Sequence, residues 1–194
     1  MKTTIGDILD STFSGEWGSE ERDGSTQVLR TTNFNDDGSL DYANPAFRAV
    51  PEKVVKKKQL QRGDILLEKS GGTPKKPVGK LAFFDYEGTF LCSNFNQVMR
   101  PNRSVVVPKY LYYLLLNLYQ NGVFYRYTRK TTGLQNIQIK ALLKHFIDLP
   151  NTAVQREQAS ILGTIDDLSH SLAQMTTLCE QLVKSRFPRT AVAA

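Results

Sequence analysis

Nine positions near the end of the chain constrain it most: Val154, Gln158, Ile161, Ile165, Leu168, Leu172, Met175, Cys179 and Leu182, spaced 4-3-4-3-4-3-4-3. A repeat averaging 3.5 residues keeps one stripe of a helix facing a partner helix, the signature of a coiled coil. The helix is predicted to span roughly 30 residues, about 45 Å at about 1.5 Å per residue. No proline interrupts it before Pro188. Thr152 and Gln155 have the spacing of a capping box, with Thr152 as N-cap. Just upstream, Phe146 to Pro150 reads as a strand stopped by proline. A seam of this length calls for a second helix, because docking onto the chain's own globular part covers only a fraction of it. His170, between Leu168 and Leu172, is expected on a solvated face.

The preceding 150 residues read as a mixed α/β domain, and 194 residues suffice for one core plus an appendage. Residues 1–150 are taken as the globular domain, 151–187 as the arm and 188–194 as a tail. Ser14 to Ser25 is loop-like; Gln27 to Thr32, Ile65 to Leu67 and Val78 to Phe84 read as strands, and Phe90 to Val98 as further extended segments. A helix is expected from Pro108 to a C-cap at Gly122, with Leu111, Leu114, Leu115 and Leu118 on its core face. A shorter helix is predicted over Gln138 to His145, after a loop from Thr131 to Asn136.

Several classes of function find no support. No apolar run approaches the ~18 residues of a membrane span, and the N-terminus lacks the apolar core of a signal peptide. The cytoplasm is therefore expected. Cys92 and Cys179 are far apart, and His145 and His170 add too little for a metal site. Asn44-Pro45-Ala46-Phe47 approximates the tetrapeptide of N6-adenine methyltransferases, but alanine replaces the second proline and no glycine-rich cofactor loop accompanies it; it reads as a turn. Gly72 to Lys80 misses the Walker A spacing, and Leu81 stands where a magnesium-binding hydroxyl is required. Asp64, Glu68 and Lys69 lack the order of a nuclease cluster. No catalytic residues, no metal and no resident cofactor are expected.

Recognition remains. Residues 1–47 carry nine acids against three bases, whereas residues 48–80 carry ten bases against three acids. A basic block of this kind suits a polyanion. Two polar loops stand out. Lys69 to Lys76 combines Gly71 and Gly72 with Thr73, Lys75 and Lys76, and Lys80 follows; glycines admit phosphates to backbone amides and lysines neutralise them. Arg129, Lys130, Gln135 and Asn136 supply groups able to reach phosphates and base edges, arginine suiting guanine and the amides suiting adenine.

In their order, several segments resemble the specificity (S) subunit of type I restriction–modification enzymes. They are Val28 to Phe34 with Gly38 to Asp41, Leu60 to Leu67, Lys69 to Pro74 running to Pro77–Lys80, Thr132 to Ile137, and Ile147 to Gln158 with the long helix behind. The resemblance covers about residues 5–187. It implies a target-recognition domain that grips half of a bipartite double-stranded DNA site, and a helix that spaces the halves and docks methyltransferase (M) subunits. Those partners would flip and methylate adenine with S-adenosylmethionine, and restriction (R) subunits join where restriction occurs. A full S subunit carries two recognition domains and two helices, so this sequence resembles a half S subunit. Two copies joined through antiparallel helices would read a palindrome. The DNA contacts implied are Lys69, Thr73, Lys75, Lys76, Lys80, Arg129, Lys130, Gln135 and Asn136. The helix contacts are Ile161, Ile165, Leu168, Leu172, Met175 and Leu182. The alternatives are a coiled-coil adaptor whose basic loops are incidental, the specificity part of a related type II or other phage-defence system, and an autonomous methyltransferase or nuclease.

Overall fold

The structure is a computed structural model that describes residues 1–20, 25–73, 76–131 and 133–186. Its centre is a four-stranded antiparallel sheet of β2 (Leu9–Ser14), β9 (Asn96–Pro101), β5 (Ile65–Glu68) and β7 (Leu81–Phe83), in that order. Side chains alternate across a strand, so Ile65 and Leu67 enter one apolar cluster while Leu66 enters another. Every residue of β5 is buried, which is why it reads as a continuous apolar run and not as an alternating one.

One face of this sheet is covered by α2 (Pro108–Gln120), through Leu111, Tyr112 and Leu115. Proline opens this helix at its first turn, and Gly122 closes it at φ +72°, as the sequence indicates. The other face packs on β3 (Thr26–Leu29) and β8 (Phe90–Cys92), which run parallel and are extended antiparallel by β4 (Ala46–Arg48). The expected strand through Thr32 ends at Leu29. Beyond it, the Asn33 side chain accepts the Arg30 amide at 2.9 Å and pulls Thr31–Asn33 into a 3₁₀ turn. Asn44 lies in a bend before β4, consistent with a turn there.

A lysine-rich helix, α1 (Glu52–Lys58), was not expected from the sequence; it buries no residue and so lacks the apolar periodicity that announces a helix. The short helix after residue 138 is only α3 (Ile139–Leu142). β1 (Lys2–Thr4) pairs antiparallel with β12 (Phe146–Asp148), and the Met1 amine donates to the Leu149 carbonyl at 2.7 Å. The chain's start is thereby stitched to the segment that feeds α4 (Thr152–Arg186).

The arm begins differently from the capping-box expectation. Asn151 is the cap: its Oδ1 accepts the Val154 amide at 3.0 Å. Gln155 is fully buried instead of closing the box; it accepts the Val107 amide at 2.8 Å and donates to the Pro150 carbonyl at 2.9 Å. α4 then lies against its own domain along Gln155, Ala159, Gly163, Asp166 and His170, at helical spacings of four and three. His170 is thus half-buried in a contact, not solvated. The heptad seam is a different face, on which Ile161, Ile165, Leu168, Leu172, Met175 and Leu182 are 54–64% exposed. From Ser171 to Arg186 every residue is exposed.

Candidate nucleic-acid interface

The two polar loops, some sixty residues apart in sequence, form one sheet. β6 (Ser70–Gly71) pairs antiparallel with β11 (Leu134–Ile137), which pairs with β10 (Thr128–Thr131). The segment expected to be a loop from Thr131 to Asn136 is therefore the turn and return strand of a hairpin. Gly133 at φ +86° supplies the left-handed residue such a turn favours, and the turn between two polar strands was the available signal. Gln135 stands opposite Gly71 and Asn136 opposite Ser70.

Within this sheet the expected DNA residues divide. Arg129 and Lys130 are exposed on β10, and neither has an ion-pair partner among the described residues. Thr73 and Lys76 are exposed and close a tight turn, Thr73 donating its amide to the Lys76 carbonyl at 2.7 Å and accepting the Lys76 amide on Oγ1 at 3.0 Å. Lys75 lies outside the described residues. The remaining four are engaged within the chain. Lys80 Nζ donates to the Phe34 carbonyl at 2.7 Å and to Asp36 at 2.8 Å. Lys69 Nζ donates to Ser14 Oγ at 2.6 Å, and burial depresses its pKa. Gln135 differs most from the expectation of a base-reading amide. It is 7% exposed, and it binds the Thr73 carbonyl at 3.3 Å and the Val78 amide at 3.5 Å. Asn136 is half-buried and accepts Ser70 Oγ at 2.6 Å.

The glycines also serve the chain itself. A Cβ on Gly71 would meet the Glu68 carboxylate at 2.6 Å, and one on Gly72 would meet the Val78 amide at 2.5 Å. Glu68 is buried beneath this turn. Burial pushes its carboxyl up, against the downward pull of the Lys80, Gly79 and Gly72 amides. Asp36 is held below the ordinary carboxylate range by Lys80, with Lys76 adding a longer contact at 3.7 Å. Asp64, weighed above as a nuclease acid, is instead clamped by Arg100 through two hydrogen bonds of 2.9 and 2.7 Å. Sequence reasoning missed two exposed apolar residues on this surface, Leu134 by the hairpin turn and Phe95 beside β6, each 48% exposed. Isolated apolar residues between polar neighbours carry no periodic signal.

The family model described as Type I restriction modification DNA specificity domain matches residues 2–178. A putative type I restriction enzyme MjaX specificity subunit from Methanocaldococcus jannaschii is 28% identical over 165 residues, which are 84% of this chain but 38% of that protein. Among solved structures, the fold is similar to the type I restriction–modification S subunit from M. genitalium. That match has a TM-score of 0.60 and 18% identity, and it covers 95% of this chain and 44% of the other. It is also similar to the HsdS subunit from Thermoanaerobacter tengcongensis, with a TM-score of 0.59 and 15% identity, covering all of this chain and 51% of that one. The chain therefore spans about half the length of these relatives or less. The match over nearly its whole length, joined to a mixed α/β domain that ends in a long helix, places this chain in the family of type I restriction modification DNA specificity domains.

Proposed function

We propose that the chain is a non-catalytic DNA-reading unit that recognises one half of a bipartite site, and that two copies joined through α4 read a palindrome. The observation that carries this is the pairing of a basic, exposed hairpin with a helix whose apolar seam is left uncovered by its own domain. Arg129, Lys130 and Lys76 are the proposed phosphate and base contacts, with Thr73 and Asn136 beside them; Lys75, outside the described residues, is proposed on its charge alone. Lys69, Lys80 and Gln135 set the shape of the sheet, since their polar ends are committed within the chain.

Division of labour follows. Phosphate contacts supply affinity and register, base edges supply selectivity, and the arm sets the distance between half-sites. Methylation of adenine belongs to partner M subunits seated on the arms, which would bring S-adenosylmethionine. R subunits join where cleavage occurs. No helix among the described residues is long and apolar enough to cross a membrane.

The test is selection of duplexes from a randomised library by the purified chain, followed by titration of the winners against salt. The expected result is a split palindrome bound with a steep negative dependence of log K on log salt. In Arg129→Ala and Lys130→Ala variants that slope falls by about one each. A chain that dimerises yet selects no sequence and shows a flat salt dependence is an adaptor, and the proposal fails.

A further inference from the structure

Phe95 sits in the connection between β8 and β9, and its backbone is fastened to the basic sheet. Its carbonyl accepts the amides of Lys69 at 2.9 Å and Ser70 at 3.2 Å. The ring nevertheless remains 48% exposed. A lone exposed aromatic needs no explanation, but Phe95 has company. It forms one wall of a 360 Å³ cleft whose lining includes Trp17, Arg30, Thr32, Ser93 and Asn94.

Trp17 is fixed in place. The Arg48 guanidinium lies 4.3 Å from its ring centroid, donates to the Trp17 carbonyl at 3.3 Å and is held by Glu20 at 2.9 Å. Arg30 is tethered by donating to the Asn44 carbonyl at 3.0 Å. The cleft therefore offers two aromatic side chains, Trp17 held by Arg48 and Phe95 anchored through its backbone, with a guanidinium, a hydroxyl and an amide at hand. It lies one strand away from the hairpin that carries Arg129 and Lys130. Apolar side chains discriminate thymine by its C5 methyl, the one apolar mark in the major groove, while guanidinium and amide groups bind base edges or phosphates.

We infer that this cleft is a thymine-reading subsite of the DNA interface, with Phe95 as its specificity-determining residue and Trp17 as the opposing wall. The inference rests on the DNA-reading function proposed above. It adds a source of selectivity that carries no charge, so its loss should leave the salt dependence unaltered.

The experiment uses the full chain and a duplex selected by it, in which thymines are replaced one at a time by uracil, removing only the methyl group. At one position in each half-site, uracil should weaken binding about fourfold, the worth of one buried carbon group. Phe95→Ala should erase that difference while keeping the slope against salt, and Phe95→Leu, which retains an apolar contact, should keep part of it. Circular dichroism melts confirm that both variants fold. If no thymine responds to uracil in the wild type, or if both Phe95 variants keep the full discrimination, the subsite is overturned while DNA reading stands. If the wild type selects no sequence, DNA reading falls and the subsite with it.

Discussion

His170, on the arm, places Nε2 2.7 Å from Oδ2 of Asp37, while its Nδ1 faces the Asp166 carbonyl at 3.0 Å. One turn earlier on the same helix face, Asp166 accepts the Tyr113 hydroxyl at 2.6 Å. These contacts latch the arm to α2 and to the turn that carries Asp36, the carboxylate holding Lys80. Burial alone would raise the Asp37 carboxyl, but hydrogen bonds from Ser39 and the charge of His170 outweigh it, and the net shift is downward. A depressed carboxylate contributes stability above its unfolded value, about pH 3.9, and loses it as pH falls through the folded value. Both side chains are more than a third exposed, so screening limits the pair to about 1 kcal/mol or less. Asp37→Asn should therefore lower stability by no more than that at pH 7, with the difference from wild type shrinking as pH falls below about 3.9 and vanishing only below the lower, folded value. Urea unfolding at the two pH values reads it directly.

Glu68 has the opposite sign. Its carboxyl stands above the usual range because it is buried, so its contribution is fully present below about pH 4.3 and is lost as pH rises toward the folded value. Glu68→Gln removes this ionisation while preserving most of the volume under Gly71. Between pH 4.5 and pH 7, the variant should show a smaller fall in unfolding free energy, or a larger rise, than the wild type. An identical change in the two proteins would mean that Glu68 ionises as easily folded as unfolded.

What the sequence makes legible follows from the range of the interactions. The α2 boundaries depend on Pro108 and Gly122, local signals within the helix itself, and they were readable. The seam of α4 was readable for the same reason. The docking face of that helix was not, because Gln155, Ala159, Gly163, Asp166 and His170 are small or polar and become a stripe only when Val107, Tyr113 and Asp37 are brought to them. The hairpin strand at Leu134–Ile137 and its pairing with Ser70–Gly71 join residues more than sixty positions apart, and no periodicity encodes such a partnership. Gln135 illustrates the consequence. Its residue type suits a base edge, but its burial is set by Thr73 and Val78.

Asp64 and Arg100 form the most deeply buried ion pair among the described residues. Asp64 is 1% exposed, and it also accepts the Gln61 amide at 2.8 Å, while Arg100 donates to the Gln59 carbonyl at 2.9 Å. Removing one partner leaves the other charge buried without compensation, a loss of about 3–5 kcal/mol. Asp64→Ala should therefore shift the urea midpoint strongly downward with little change in slope. Ion pairs between exposed residues, such as Lys56 with Glu52, should tolerate truncation with almost no effect.

The two faces of α4 make separable predictions. Leu168 and Leu172 are 60% and 64% exposed, so they contribute little to the fold of one chain and much to a seam closed by a second helix. Changing both to Glu would place charge in that closed seam, where burial is costly. The doubly substituted chain should sediment as a monomer at concentrations where the wild type forms the proposed dimer, with its melting transition unchanged once any dimer contribution is removed by dilution. Ala159 is 8% exposed against the domain, and enlarging it to Leu should do the reverse. The overpacked face would loosen the arm and lower the melting temperature at all concentrations, leaving the seam intact. If the wild type dimerises and Leu168→Glu with Leu172→Glu leaves that association in place, it does not run through the heptad seam, and the arm serves a different partner.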